Sequence, residues 1–270
     1  GTPLAIRREG AVSDRGKVNR REAEAESYPT ISPILGETVW GQGEPFNNKC
    51  PQINGERAVT GCVATAMSQI MYAHKYPEKG SGSHSYRIGK EITISEDFSQ
   101  TIYDWDNMLE TYVEGEYNDA QAEAVAVLMA DLGHAFKANY TATDTGAFPD
   151  MMSLYKNFGY SPASNVVVRN NFNSNSWLSK LRRDIEAGSP VFYAGYTSEG
   201  AGHAFVLDGV DANDYFHVNW GWGGVYDGFF MIDSLTLGEE YLFDTQHWAV
   251  FGMNPLRDGE INNWLTLTNN

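Results

Sequence analysis

The chain has 270 residues, of which 42% are hydrophobic and 20% are charged, a composition typical of a globular protein rather than of a disordered or fibrous one. The formal net charge of −16 would repel phosphate backbones, so we do not expect nucleic acid as a partner. No apolar stretch approaches the ~20 residues that cross a bilayer, so no membrane span is predicted. Two cysteines are too few for a disulfide framework.

The first 28 residues differ in composition from the rest of the chain. They hold six basic and five acidic residues and few large apolar side chains. We predict a flexible arm over residues 1–28, which is either the remnant of a pro-segment or a terminus without a role. One folded domain is predicted over residues 29–270.

Helical periodicity dominates the first part of this domain. After a Pro-, Gly- and Asn-rich loop, the spacing of apolar residues predicts a helix over 62–75, with Thr60 as its N-cap. Further helices are predicted over about 118–137, 151–157 and 177–187.

After Gly188 the pattern changes to short aromatic and β-branched runs separated by glycine and aspartate. Five strands are predicted, over 191–196, 203–207, 215–220, 228–232 and 248–253. The domain is therefore predicted to be α+β, with a helical lobe to about 188, a β lobe over about 189–255 and a cleft between them.

Cys62 is the first candidate for chemistry because it lies at a predicted helix start. Unpaired backbone N–H groups and the helix dipole favour an anion there, and a thiolate is an anion. The dipole shifts a pKa by about one unit at most, so a nearby imidazolium is needed as well. The alternative is a small buried apolar residue without a chemical role.

His203 is the preferred imidazole among six histidines. It follows Gly200-Ala201-Gly202 and begins a predicted strand that would hold its ring rigidly at a cleft. His74 lies twelve residues along the same helix as Cys62, roughly 18 Å away, and cannot reach the thiol. His217 competes with His203, and a structural histidine at a sheet edge is the alternative for His203 itself.

Two further polar groups would complete such a site. The Asn219 carboxamide could accept a hydrogen bond from Nδ1–H of the imidazole, and Trp220 could shield that bond from water. If the loop turns Asn219 away, Trp220 itself would pack on His203. Gln42, in a glycine-flanked loop, could donate to the oxyanion of a tetrahedral intermediate together with the Cys62 N–H.

The order Gln42, Cys62, His203, Asn219 is the order in which papain-type thiol hydrolases carry these groups. The local motifs carry a closer resemblance: Gly61-Cys62-Val63-Ala64-Thr65-Ala66, Gly202-His203-Ala204-Phe205-Val206 and His217-Val218-Asn219-Trp220-Gly221-Trp222-Gly223-Gly224. Over about residues 35–255 the chain resembles the streptopain family of secreted bacterial cysteine peptidases, in the papain clan. It lacks the Cys-Gly-Ser-Cys-Trp signature of plant and lysosomal relatives.

This resemblance implies a papain-like fold with a helical left lobe and an antiparallel β right lobe. It implies a secreted or cell-surface bacterial endopeptidase that cleaves proteins, is inhibited by its own pro-segment, and needs no cofactor or metal. The substrate-binding residues that it implies are Tyr196, Thr145, Gly146 and Gly202, with an apolar residue preferred before the scissile bond.

Two other functions remain open at this point. An amidase of the same clan would use the same Cys-His pair on cell-wall peptides. A carbohydrate-binding module would use Trp220, Trp222 and Tyr226 and would need no thiol.

Overall fold

The computed structural model describes residues 28–238 and 241–257. The predicted arm at 1–28 lies outside the described residues except for Tyr28. The four helices are α1 (Cys62–His74), α2 (Asp119–Ala135), α3 (Met151–Phe158) and α4 (Ser174–Glu186). All four helices were predicted. Helix α4 begins three residues earlier than expected because the Asn173 side chain caps it by accepting from the Ser176 N–H at 2.9 Å.

Twelve strands accompany the helices. In chain order they are β1 (Gln52–Ile53), β2 (Glu56–Arg57), β3 (Ser83–Ile88), β4 (Ile92–Asp97), β5 (Asn165–Val168), β6 (Val191–Tyr196), β7 (Gly202–Val210), β8 (Phe216–Asn219), β9 (Gly228–Phe230), β10 (Thr236–Leu237), β11 (Tyr241–Leu242) and β12 (Thr245–Phe251). The five strands predicted after Gly188 are therefore present, with ends shifted by up to three residues.

A six-stranded antiparallel sheet forms the centre of the molecule, in the order β5-β12-β6-β7-β8-β9. Strand β12 follows the other five in the chain, yet it lies between β5 and β6. Strands β6 and β7 pair in continuous register from Val191 opposite Leu207 to Tyr196 opposite Gly202. The two strands therefore hold His203 directly beside Gly195.

Both faces of this sheet are buried, with side chains alternating between two apolar clusters. Phe192 and Ala194 of β6 join the cluster around α1 and α2, whereas Val191 and Tyr193 join the cluster around α4. The strands consequently read as continuous apolar runs instead of an apolar and polar alternation. Between them the two clusters account for most of the large buried side chains.

Several parts of the sheet system were missed or displaced in the sequence analysis, among them the short strand pairs β1–β2 and β10–β11. The hairpin β3–β4 was not predicted, because its exposed face is polar and its Ser-rich start suggests a loop. Strand β5 and helix α4 precede residue 188 but pack with the sheet, through Val167 and Trp177 among others. Elements that belong to the β lobe therefore begin before the predicted boundary. Among the described residues no helix is both long and apolar enough to cross a membrane.

Candidate active site

Chain segments that are far apart in sequence meet in an open cleft of about 510 Å³. They include the loop at Gln42, the start of α1, the start of β7 and the segment around Trp222. The cleft is lined by Gln42, Val59, Cys62, Thr143, Asp144, Ala201, Gly202, His203, Trp222, Tyr241 and Phe243. The structure thus brings together Cys62, His203 and Gln42, three of the residues predicted from the sequence.

Cys62 is the first residue of α1, as predicted, but the cap is Gly61 and not Thr60. Gly61 has φ 83°, and no side chain caps this helix end. A Cβ on Gly61 would lie 2.4 Å from the carbonyl oxygen of Thr145, so only glycine fits. Thr60 instead bonds through its hydroxyl to the Thr65 hydroxyl at 2.8 Å. The first backbone N–H groups of the helix therefore stay available to the sulfur.

The Cys62 thiol is half-buried and has donors around it. Burial raises its pKa, and the negative charge of Asp144 acts in the same direction. Backbone N–H groups of Ala204, Cys62 and Val63 act against burial and lower the pKa, because they stabilise the thiolate. Ala204 follows His203 directly, so the strand that carries the imidazole touches the sulfur.

His203 is buried near the start of β7, and its Nε2 lies 2.8 Å from the backbone carbonyl oxygen of Trp220. A carbonyl oxygen only accepts, so Nε2 carries the proton and Nδ1 keeps the free lone pair of the neutral ring. The prediction that Nδ1–H would be held by a carboxamide is therefore wrong about both the ring nitrogen and its partner.

Burial lowers the pKa of His203 to about 4, although the Trp220 carbonyl raises it in part. Burial therefore opposes the charged form of both the thiol and the imidazole. The predicted thiolate–imidazolium pair accordingly depends on the attraction between the two charges and on the N–H groups at the sulfur. The neutral pair is the form that burial favours.

Indole rings cover His203. The Trp222 ring stacks on the imidazole with 4.3 Å between ring centroids, and the Trp220 ring lies further away at 6.2 Å. Trp220 was predicted to shield the imidazole, but both indole rings lie over it and the Trp222 ring is the closer one. Trp220 is fully buried and contributes mainly through its backbone carbonyl.

Asn219 does not face His203, which corrects the predicted orienting role of its side chain. Its Oδ1 accepts from the Gln69 side chain and from the Gly221 N–H, both at 3.0 Å, and its Nδ2 donates to the Thr38 carbonyl at 2.7 Å. These bonds shape the turn that points the carbonyl of Trp220 at the imidazole. Asn219 therefore supports His203 through the backbone of its neighbour.

Gln69 is a residue of this site that the sequence analysis did not assign. It lies two turns along α1 from Cys62 and is fully buried. Its Oε1 accepts from the Trp40 N–H at 3.3 Å while its Nε2 donates to Asn219. The helix that carries the thiol is thereby bonded to both the Gln42 loop and the turn at Trp220. A polar residue within the apolar stripe of α1 was the signal in the sequence.

Gln42 lies beside the start of α1, because its backbone carbonyl accepts from the Thr60 N–H at 3.1 Å. The loop is also joined to the segment after Trp222, where the Gly223 N–H donates to the Trp40 carbonyl at 3.1 Å. Gln42 and Cys62 both line the cleft.

His217, the competing imidazole, is engaged elsewhere. Its Nδ1 lies 2.6 Å from Oδ1 of Asp208, a fully buried carboxylate. Asp208 also accepts from the Leu35 N–H through Oδ2 at 2.9 Å. His217 is not among the residues that line the cleft.

The predicted substrate-binding residues are only partly at the cleft. Gly202 lines it, and Thr143 and Asp144 represent the predicted loop. Thr145 is buried instead, because its hydroxyl bonds to the Thr141 backbone. Gly146 and Tyr196 also lie outside the lining. Gly146 pairs with Asn139, and the Tyr196 ring covers Gly202, where an added Cβ would meet it at 2.7 Å.

Aromatic residues on the His203 side of the cleft were not predicted as part of the site. Tyr241 and Phe243 line it next to Trp222, and the Phe243 ring centroid is 5.6 Å from that of His203. The backbone carbonyl of Phe243 accepts from Nε2 of His247 at 2.8 Å. No local sequence pattern places this segment at the cleft.

Comparison with known proteins identifies the family of this chain. The family model of the peptidase C10 family matches residues 40–230. Streptopain from Streptococcus pyogenes is 35% identical over 241 residues, which cover 80% of this chain. The thiol protease/hemagglutinin PrtT from Porphyromonas gingivalis is 33% identical over 271 aligned residues, which cover 91% of this chain and 31% of that protein. The alignment with streptopain spans only 60% of the length of that protein.

Solved structures extend the similarity to the fold. Active wild-type interpain A, a cysteine protease from Prevotella intermedia, superposes with a TM-score of 0.77 at 36% identity, covering 83% of this chain and 95% of that one. A fragment of prointerpain A gives a TM-score of 0.72 at 35% identity, covering 83% and 72%. The predicted α+β fold of the papain type is confirmed by these matches. The chain belongs to the peptidase C10 family.

Proposed function

We propose that this protein is a secreted cysteine endopeptidase that hydrolyses peptide bonds of proteins through Cys62 and His203. The observation that carries the proposal is that Cys62, at the start of α1, and His203, at the start of β7, line the same open cleft, with the Ala204 backbone N–H at the Cys62 sulfur. Membership of the peptidase C10 family, and relatives that are named as thiol or cysteine proteases, support it.

The reaction begins with attack of the Cys62 sulfur on the carbonyl carbon of the scissile bond. The lone pair on Nδ1 of His203 accepts the thiol proton, while Nε2–H stays bonded to the Trp220 carbonyl. The C–N bond then breaks, the imidazolium protonates the leaving amine, and a thioester to Cys62 remains. Water attacks this acyl-enzyme with His203 as base, which releases the acid and restores the thiol.

The oxyanion of each tetrahedral intermediate would lie between two donors, the Cys62 backbone N–H and the Gln42 carboxamide. Both are supplied without rearrangement of the fold, because the Gln42 loop is tied to the start of α1 by the Thr60 bond. Donors that are fixed before the reaction stabilise the developing charge most effectively in a cleft with little water.

Replacing Gln42 by alanine is expected to lower kcat by about 10²- to 10³-fold and to change KM little, because the carboxamide bonds to the intermediate more strongly than to the substrate. Steady-state kinetics on a peptide substrate measures both parameters. The matched control is Gln52→Ala, at an exposed glutamine of β1 that should leave kcat unchanged. A loss in the Gln42→Ala variant of less than threefold would remove Gln42 from the oxyanion site.

We also propose that the protein is made with an inhibitory pro-segment and acts outside the cell or at its surface. The prointerpain A fragment among the structural neighbours supports a pro-segment, by its name. The basic arm at 1–28 is compatible with the end of such a segment, since it contains several sites for cleavage after arginine or lysine.

The cell-wall amidase uses the same thiol and is the strongest competing function. The carbohydrate-binding alternative is weakened by burial, because the Trp220 ring is fully buried and the Trp222 ring is stacked on His203. Only Tyr226, 49% exposed, offers a free aromatic face among the three residues.

Assays with unfolded casein and with purified muropeptides distinguish the peptidase activity from the amidase activity. We expect casein to be cut at internal peptide bonds and muropeptides to remain intact, as followed by mass spectrometry. Iodoacetamide should stop casein cleavage, because Cys62 lines the cleft and Cys50 is 1% exposed. Release of muropeptide fragments without casein cleavage would establish the amidase, and activity that persists after alkylation of Cys62 would exclude both.

A further inference from the structure

Three potential metal ligands lie together at the junction of β4 and α2. Glu96 comes from β4, and Asp131 and His134 lie one turn apart on α2. One carboxylate oxygen from each acid and one ring nitrogen of His134 lie within 4.8 Å of one another. None of these residues lines the cleft that contains Cys62.

The imidazole of His134 is oriented into this group but bonds to nothing in it. Its Nδ1 is buried and has no hydrogen-bond partner among the described residues, and the nearest oxygen of Glu96 is 3.7 Å away. The side chain as a whole is only 12% exposed. A buried polar atom without a partner destabilises a fold, so a group that bonds to this nitrogen would stabilise it.

Neighbouring groups hold two of these residues in place. The Tyr103 hydroxyl donates to Oδ2 of Asp131 at 2.7 Å. The backbone carbonyl of His134 lies 3.1 Å from Nδ1 of His84, at the start of the β3–β4 hairpin. Groups of this kind, which bond to the ligands rather than to the ion, orient the ligands of metal sites in proteins.

The donor set selects a class of ion. A neutral imidazole nitrogen with two carboxylates suits zinc and similar transition metals, whereas Mg²⁺ and Ca²⁺ prefer oxygen alone. The three ligand atoms lie at most 4.8 Å from one another. Bonds of about 2.0–2.2 Å from each atom to a central ion would draw them closer together.

We propose that Glu96, Asp131 and His134 bind one divalent transition-metal ion, with Zn²⁺ as the best match, which fastens the β3–β4 hairpin to α2. Water completes the coordination, since three protein ligands leave a position open. The sequence analysis predicted no metal. Asp131 and His134 are three residues apart on one helix, but Glu96 lies 35 residues earlier on an unpredicted strand.

Zinc binding is tested by titration calorimetry on the full chain with Cys62→Ala, because Zn²⁺ also binds free thiols. After treatment with a chelator we expect one Zn²⁺ per chain and a rise in Tm of about 5 °C at 100-fold excess over Kd. Adding Glu96→Gln or His134→Phe should weaken binding at least tenfold and abolish most of the rise. Adding Glu91→Gln, at an exposed glutamate in the turn of the same hairpin, should change neither.

Two results would overturn the proposal: no zinc binding by the Cys62→Ala chain, or equal affinity in the Glu96→Gln and Glu91→Gln variants. Circular dichroism without zinc shows whether each variant folds. If His134→Phe does not fold, the half-buried Glu96 decides alone, because its loss leaves the core of α2 intact. Neither measurement depends on peptidase activity, so the outcome is independent of the proposed function.

Discussion

Cys62→Ala is expected to lower peptide hydrolysis by roughly 10⁴-fold or more, because no other group at the cleft can form the acyl-enzyme. The side chain is small and faces the cleft, so we expect the unfolding transition to change little. Rates on a peptide substrate and thermal unfolding measured on the same preparation test both parts of this prediction.

Cys50→Ala is the matched control, because it removes the other thiol of the chain. Cys50 is buried against Ala58, Ala138 and Tyr140, and burial raises its pKa to about 12. Its loss should reduce stability slightly and leave hydrolysis unchanged. Proteolysis that survives in Cys62→Ala but disappears in Cys50→Ala would reverse the assignment of the nucleophile.

Gly61→Ala is expected to reduce both stability and activity. A methyl group there would meet the Thr145 carbonyl oxygen at 2.4 Å and the Thr145 methyl carbon at 3.1 Å, at a φ of 83° that alanine adopts only with strain. We expect the free energy of unfolding to fall by about 2–4 kcal/mol. Hydrolysis should fall about 100-fold, because the Cys62 N–H and the Thr143–Thr145 loop must separate.

Gly55→Ala is the control that distinguishes the effect of backbone strain from the effect of the steric clash with Thr145. Gly55 has φ 85°, almost the same as Gly61, but no atom lies within 4 Å of its added Cβ. It lies in the turn between β1 and β2, so its substitution should lower the free energy of unfolding by only about 1 kcal/mol and leave hydrolysis intact. Equal losses of stability in the two variants, measured by urea unfolding, would mean that the contact with Thr145 does not restrict Gly61.

The sequence was most informative where local rules coincide with the structure. Helix α2 begins within one residue of its predicted start, because Asn118 and Gln121 form a capping box with two 2.9 Å bonds. The thiol and the imidazole were also found from local signals, a cysteine at a helix start and a histidine that follows a glycine-rich turn. Each such signal is contained within a few residues, so one sequence suffices to read it.

The sequence was least informative where the role of a residue depends on the direction in which one backbone carbonyl points. Asn219 and Trp220 are neighbours, and only the path of the backbone decides that the carbonyl of Trp220 meets His203 while the Asn219 side chain bonds to Gln69. Both arrangements place a polar acceptor near the imidazole. The choice between them comes from contacts across some 150 residues of chain.

Strand β5 illustrates the same difficulty at the level of the fold. It has only four residues and is more than seventy residues away from its partner β12, so no hairpin signal marks it. Its register, with Val166 opposite Val250, is fixed only when both strands meet in the finished sheet.

The position of β12 inside the sheet has a consequence for folding during synthesis on the ribosome. A nascent chain that has not yet been translated past residue 251 leaves β5 without its partner and one edge of β6 open. The ribosome must therefore release almost all of the described chain before the cleft can close into its working shape.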